Sequence, residues 1–248
     1  HASLLKRWDE VLRYGNGMNA KLQTEAPRQA QNQAPDIYLI AAHPNWRASR
    51  VNRPMMDEAR KLPRVQVQDL YASYPDYSID VPREQAALAR AQLLVLMHPI
   101  QWYSMPALQK LWFDEVLTYG WAYGGGSASE EIGGNGPGTT LRGKDLWLVA
   151  TTGGPEDSYH PQGYNRYFFD AFLPPYEQTA ALCGMRFLPP LVLHGAHSAS
   201  PQDLEQHIQT LAQRLQSYPD WPELDELDAC PACAVPTRDR PATERSVR

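Results

Sequence analysis

Residues Leu93–Val116, LLVLMHPIQWYSMPALQKLWFDEV, decide how this chain is read. The stretch opens with an apolar run, Leu93 to Met97, too short for a globular helix and suited to a buried strand. It breaks at His98-Pro99, crosses the polar and aromatic segment Gln101-Trp102-Tyr103-Ser104, and restarts after Pro106. From there Leu108, Leu111, Trp112 and Val116 recur at spacings of three and four, with Lys110, Asp114 and Glu115 between them, so a helix follows. Ser104 and Pro106 suit its start as N-cap and first-turn residues. Strand, polar-aromatic loop and amphipathic helix together make the ligand-bearing turn of an open α/β sheet, where ligands sit outside the carboxyl ends of the strands.

The flanking sequence repeats this unit. Upstream, a strand at Ile37–Ala42 leads into the loop His43-Pro44-Asn45-Trp46-Arg47-Ala48-Ser49-Arg50-Val51-Asn52 and a helix through Met55, Met56, Ala59 and Leu62. Ser49 is expected to cap that helix, with Pro54 in its first turn, and the orphan amides there form a ready anion site. A second strand is expected at Val65–Leu70. A packed surface connection over Tyr71–Asp80 and a helix over Val81–Arg90 follow, with Pro82 and Glu84 in the helix's first turn. Downstream, LWLVAT (Leu146–Thr151) is a continuous apolar run, as in a strand buried on both faces. Thr151-Thr152-Gly153-Gly154 then lets the backbone approach a ligand closely. A helix over Asn165–Gly184 is expected to break at Pro174-Pro175. The fifth strand, Phe187–Leu193, carries prolines suited to a sheet edge, and the last helix runs over Pro201–Tyr218. His194 reads as a structural histidine.

Composition narrows the function. With 23 basic against 28 acidic side chains the net charge is −5, and no basic stripe points to nucleic acid. No apolar run approaches the roughly 18 residues a membrane span requires. Three cysteines are too few for a disulfide scaffold. Residues 1–35 read as a mobile extension, 36–218 as the α/β domain and 219–248 as a disordered tail. Within that tail, Cys230-Pro231-Ala232-Cys233 lacks the second ligand pair of a zinc site and the βαβ setting of a redox pair, so no metal site is expected. The Gly-rich stretch 124–138 does not connect a strand to a helix, so it is no dinucleotide fingerprint. A surface insertion or a lid over the site accounts for it.

HPIQWYSMPALQKLWFDEV also resembles a signature of the flavodoxin-like NAD(P)H:quinone oxidoreductases, in particular the ancillary proteins of glutathione-regulated potassium-efflux systems. The resemblance continues through Gly120-Trp121-Ala122-Tyr123-Gly124, Thr151-Thr152-Gly153-Gly154, Cys183-Gly184-Met185 and Leu188-Pro189-Pro190. It implies a flavodoxin-like, doubly wound, five-stranded parallel sheet in the order 2-1-3-4-5. It also implies FMN, in preference to FAD, as cofactor. His43, Ser49, Arg50, Val51 and Asn52 would then hold the phosphate end. Ile100, Gln101, Trp102 and Tyr103, with Thr151, Thr152, Gly153 and Gly154, would surround the ring system.

The implied reaction is a two-electron, ping-pong transfer of hydride from NAD(P)H through the flavin to a quinone. Tyr159, five residues beyond the double glycine, fits a residue that polarises the bound quinone. His160 lies closer to that glycine pair than the corresponding histidine of the family, and is the second catalytic candidate. A homodimer is expected on the resemblance, helped by the aromatic surplus of Trp112, Phe113, Phe168, Phe169 and Phe172. Two other readings compete: a regulatory subunit on a membrane potassium-efflux antiporter, and an electron-transfer flavodoxin. The expected location is cytoplasmic, including the cytoplasmic face of the inner membrane.

Overall fold

The computed structural model describes residues 35–124 and 140–227. Most of the N-terminal extension, nearly all of the Gly-rich stretch and the CPAC segment lie outside the described residues. The five strands are β1 (Ile37–Ala41), β2 (Val65–Asp69), β3 (Leu93–Pro99), β4 (Asp145–Thr151) and β5 (Arg186–Leu193). All neighbours pair in parallel, in the order β2-β1-β3-β4-β5, as expected. The helices are α1 (Asn52–Ala59), α2 (Leu70–Ser73), α3 (Val81–Arg90), α4 (Ala107–Val116), α5 (Pro174–Leu182) and α6 (Pro201–Ser217).

Alternation along the strands divides the core into two layers. Tyr38, Ile40, Leu94, Leu96, Leu146 and Leu148 face one side, where Leu88 of α3, Leu108 and Trp112 of α4 and Tyr176 of α5 cover them. Ile37, Leu39, Leu93, Val95, Trp147 and Val149 face the other, under Met55 and Met56 of α1 and Leu211 and Leu215 of α6. Because β1, β3 and β4 need apolar side chains on both faces, they read as unbroken hydrophobic runs. At the edge, Pro189-Pro190 shifts the register of β5 against Trp147 and Val149, since prolines give no ladder N–H. The indole N–H of Trp147 donates to the carbonyl of Pro189 at 2.9 Å.

Two polar clusters tie these layers together. The carboxylate of Glu84, fully buried, accepts hydrogen bonds from Tyr38 Oη and Tyr74 Oη, each at 2.6 Å, and from Gln68 Nε2 and Trp112 Nε1, each at 2.8 Å. It joins β1, β2, α3, α4 and the turn after α2. At the start of β4 and β5, Arg186 grips Asp145 through two bonds of 2.8 and 2.9 Å, and Tyr218 Oη donates to the same carboxylate at 2.9 Å.

Several local expectations are corrected. Helix α4 is preceded by Pro106, and Ser104 does not cap it. Ser104 exchanges backbone bonds with Gln101 instead, at 2.9 and 3.0 Å, closing a tight turn over Trp102 and Tyr103. Helix α1 starts at Asn52 with Val51 in the cap position, while Ser49 Oγ accepts from the Arg53 amide at 3.1 Å one step upstream. The connection after β2 contains a helical turn, Leu70–Ser73, capped by Asp69. The helix expected from Asn165 begins only at Pro174, after a 3-10 turn over Phe169–Phe172. Trp112 and Phe113 are core residues, so they contribute nothing to an exposed patch; the large exposed aromatics include Trp102, Tyr119, Tyr164 and Tyr167.

Candidate active site

The order β2-β1-β3-β4-β5 places the carboxyl ends of β1, β3 and β4 side by side, so the three loops that follow them meet. A cavity of about 350 Å³ lies between them, lined by His43, Ser49, Arg50, Val51, Asn52, Ile100, Gln101, Thr151, Thr152 and Gly153, and closed by Ala196 and His197. A second cavity of about 360 Å³ adjoins it across Ile100 and is walled by Trp102, Tyr103, Gly154, Ser158, Tyr159, Tyr164 and Asn165. Every predicted cofactor residue and Tyr159 therefore lines one or other cavity. His160 lines neither: it is exposed, its ring stands edge-on to Phe168, and its Nδ1 accepts from the Gln162 amide at 3.3 Å.

In the first cavity the sequence folds to expose backbone donors. The Arg53 amide is satisfied by Ser49, whereas the amides of Arg50, Val51 and Asn52 have no partner among the described residues. The Asn52 side chain is buried. Its Nδ2 donates to Thr151 Oγ1 at 2.9 Å, and its Oδ1 has no partner. Such an orphaned buried oxygen costs about 1–3 kcal/mol, which a polar ligand in the cavity relieves. Arg50 crosses to the His197 carbonyl at 2.6 Å, tying the loop after β1 to the loop after β5. His43 accepts from the Asn45 amide through Nδ1 at 3.1 Å, its ring lies 5.2 Å from that of Trp46, and burial lowers its pKa.

The second cavity is aromatic. Trp102 (φ 47°) and Tyr103 (φ 64°) both occupy the left-handed region, and their amides have no partner among the described residues. Trp102 is 94% exposed, so it is not core packing. Tyr103 stacks on Phe172 at 5.2 Å and its hydroxyl donates to Asn165 Oδ1 at 3.3 Å. Tyr159 stands edge-on to Phe169 and Phe172, and burial raises its phenol pKa, with the Thr152 hydroxyl acting in the opposite sense. The ring of His194 lies 5.2 Å from that of Tyr159, and its Nδ1 is 3.0 Å from Thr152 Oγ1. Burial lowers the pKa of His194 while Glu156 opposes the shift. Sequence reading left out His197 of the first cavity and Ser158, Tyr164 and Asn165 of the second, and it also left out His194, which lines neither cavity but contacts Thr152 and Tyr159. The available signal was its position, one step beyond the carboxyl end of a strand.

Unpaired amides from loops after β1 and β3, an orphaned asparagine oxygen and an aromatic wall suit a planar ligand with an anionic end, and they sit where doubly wound sheets bind such ligands. Residues 35–217 match a family model described as having the flavodoxin-like fold. The chain belongs to this flavodoxin-like family, on the branch that holds NAD(P)H:quinone oxidoreductases and potassium-efflux ancillary proteins. It is 42% identical over 182 residues to the glutathione-regulated potassium-efflux system ancillary protein KefF of Citrobacter koseri, covering 73% of this chain and 96% of that protein. Among solved structures it is similar to general stress protein 14 of Treponema denticola in complex with FMN, with 35% identity, TM-score 0.65 and coverage of 74% of this chain and 99% of the other. A candidate quinone reductase from Klebsiella pneumoniae is 27% identical with TM-score 0.61, covering 74% of this chain and 85% of that one.

Proposed function

We propose that this chain is an FMN-dependent NAD(P)H:quinone oxidoreductase. The observation that carries the reading is the convergence of unpaired backbone amides and the orphaned Asn52 oxygen on one cleft at the strand ends. The phosphate of FMN is assigned to the amides of Arg50–Asn52 and the Ser49 hydroxyl, at the start of α1. The amides of Trp102 and Tyr103, with the glycine turn Gly153-Gly154, are assigned to the polar edge of the ring system. At Gly154 a Cβ would fall 2.8 Å from Ser158 Oγ, so glycine keeps this turn closely packed. When bound, FMN supplies a two-electron carrier that takes hydride from NAD(P)H and gives it to a quinone. The FMN complex of the 35% identical stress protein and the Klebsiella candidate reductase support this assignment.

The chain's own residues then orient and polarise. A cavity of about 360 Å³ accepts one planar co-substrate at a time, so donor and acceptor alternate and ping-pong kinetics follow. Tyr159, on the wall of that cavity, donates its hydroxyl to the quinone oxygen that gains charge. His160, which faces solvent, takes no part in this arrangement. The purified protein is expected to show a flavin spectrum, mass spectrometry of the released cofactor is expected to read FMN, and anaerobic mixing with NAD(P)H should bleach the spectrum. Failure to bind FMN or FAD on reconstitution defeats the proposal, while FAD alone changes only the cofactor.

The relative's name favours a second reading, in which the same flavoprotein is a regulatory subunit of a potassium-efflux antiporter. Among the described residues no helix is long and apolar enough to cross a membrane, so the membrane part would be the partner's. Co-purification with that transporter tests it. A homodimer is proposed as well, with Trp102, Tyr164 and Tyr167 as exposed aromatic surface beside the site, and light scattering giving a mass near 28.0 kDa would contradict it.

A further inference from the structure

Backbone hydrogen bonds close the first cavity on three sides. Ala42 N donates to the Met97 carbonyl at 2.9 Å, between β1 and β3, and Ile100 N donates to the Thr151 carbonyl at 2.8 Å, between the ends of β3 and β4. The loop after β5 is held to the loop after β4 by Gly195 N on the Gly154 carbonyl and Ala196 N on the Thr152 carbonyl, each at 2.8 Å. The fourth side lies between the loops after β1 and β5, which no ladder joins because β3 and β4 stand between those strands. Among the described residues the one hydrogen bond that spans this side runs from Arg50 Nη1 to the His197 carbonyl, at 2.6 Å. Arg50 pairs with no carboxylate among the described residues. A guanidinium is a rigid fork of several N–H donors, so others remain for an anion in the cavity. Arg50, Val51 and Asn52, with their unpartnered amides, line the same space, and the buried Asn52 Oδ1 there has no partner either.

We propose that the Arg50 side chain makes this cavity select FMN over FAD, by closing its fourth side across the phosphate. The inference rests on the flavoprotein reading above. The two cofactors share the ring system and the sugar-alcohol chain. They differ past the first phosphate, where FMN ends in a monoester and FAD continues through a second phosphate to adenosine. The amides at the start of α1 serve that first phosphate in either cofactor. A monoester, with a charge of about −1.5 to −2, also presents its outer oxygens to the remaining guanidinium donors, and Arg50 keeps the His197 carbonyl at the same time. A cofactor that continues leaves by the side without a backbone link, which is where Arg50 lies. The bond to His197 must then break, and the phosphorus carries one charge fewer. FMN thus gains a charge-assisted contact that FAD forfeits. Arg50 touches no reacting atom and sets only which cofactor the site keeps.

Equilibrium titration of the cofactor-free protein with FMN, FAD and riboflavin, read by quenching of flavin fluorescence, tests this. The wild type is expected to bind FMN at least about tenfold more tightly than FAD, the lower worth of one hydrogen bond to a charged group. Arg50→Ala should weaken FMN roughly 10- to 100-fold and leave FAD at its wild-type affinity or tighter, so the ratio between them collapses. Riboflavin, which has no phosphate, should bind the variant as it binds the wild type. Both ends of the Arg50 bond are exposed, so the melting temperature of the cofactor-free variant should match as well. Arg50→Lys keeps the charge without the fork, so both phosphorylated flavins should gain from it and the ratio should stay low. FMN and FAD weakened by the same factor in Arg50→Ala would make Arg50 a ligand common to both and overturn the proposal. A wild-type ratio in Arg50→Lys overturns it too, as does a loss of riboflavin affinity equal to that of FMN. If the wild type binds none of the three flavins, the flavoprotein reading has failed and the selection falls with it. If it binds FMN and FAD equally, that reading stands and this inference alone is lost.

Discussion

Replacing Glu84 separates the contribution of a buried carboxylate from that of the side chain that carries it. Four donors converge on its two oxygens: Tyr38 and Trp112 on Oε2, Tyr74 and Gln68 on Oε1. Glu84→Ala leaves all four donors without a partner in a region closed to water. Each buried orphan costs about 1–3 kcal/mol, and relaxation of the two tyrosine hydroxyls brings the expected total to about 3–5 kcal/mol. Glu84→Gln is predicted to be much milder. With its amide nitrogen turned toward Tyr74 and Gln68, the Tyr74 hydroxyl can rotate to accept and the Gln68 amide can flip, while Tyr38 and Trp112 keep an acceptor. The remaining loss is the strength of a charged acceptor, roughly 1–2 kcal/mol in all, partly offset by the smaller cost of burying a neutral group. Urea titration followed by tryptophan fluorescence reads both variants, with the m-value checked for constancy. At about 2–4 °C per kcal/mol, Glu84→Ala should lower the melting temperature by roughly 6–20 °C. A Glu84→Ala protein within about 1 kcal/mol of wild type would refute the account, since single buried-network losses are expected above that. Equal damage in the two variants would show that the charge itself matters.

Tyr159→Phe should leave flavin content unchanged and slow the quinone half-reaction by roughly 10- to 1000-fold, with reduction by NAD(P)H far less affected; equal half-reaction rates to wild type would make Tyr159 only a wall residue. Asn52→Leu removes the orphaned oxygen but leaves the buried Thr151 hydroxyl without its donor, so the two effects oppose and cofactor-free stability should change by about 1 kcal/mol or less, whereas FMN affinity, read by fluorescence quenching, should fall roughly 10- to 100-fold. Acid should destabilise the fold through His98 and His207, whose burial depresses each pKa to about 4. Between about pH 6.5 and 4 the unfolded chain binds more protons than the folded one, so unfolding free energy should fall with pH by up to roughly 1.4 kcal/mol per unit per histidine; denaturant titrations in which His207→Gln shows the same slope as wild type would contradict this.

The layers of the fold were legible because β1, β3 and β4 are buried on both faces, which forces continuous apolar runs. The loops that bear the cavities were legible because they fall at the ends of those runs. Local signals failed where a competing partner existed. Ser104 precedes a proline and a helix, as a cap does, yet its backbone is engaged by Gln101 across a tight turn. Glu84 reads as a charge favouring a helix start, but it shares the helical face of Ala87 and Leu88, and that spacing carried the hint of burial. His194 had no local pattern at all. Its partner Thr152 lies 42 positions away, and only the pairing of β4 with β5 brings them together.

The turn over Gln101–Ser104 shows what the site required of the backbone. Two residues with positive φ in the centre of a two-residue turn is the type I′ arrangement, which asparagine and glycine adopt most easily. Here the positions hold Trp102 and Tyr103, and side chains with a Cβ carry a cost of about 1–2 kcal/mol each in that region. The turn is held by the paired backbone bonds of Gln101 and Ser104 and by Tyr103 against Phe172 and Asn165. None of this improves the core, because Trp102 is almost wholly exposed and packs under no other element. What the conformation does is free two successive amides from any strand ladder and set an indole and a phenol at the rim of the second cavity. Strain of this kind persists only where the surrounding structure over-determines it, and it gathers at ligand sites because a ligand recovers its cost. The helix that follows starts without a side-chain cap and is anchored through Leu108 and Trp112 in the core, so the turn is carried on a rigid element. Backbone geometry, more than any single side chain, therefore supports the binding role proposed for this cleft.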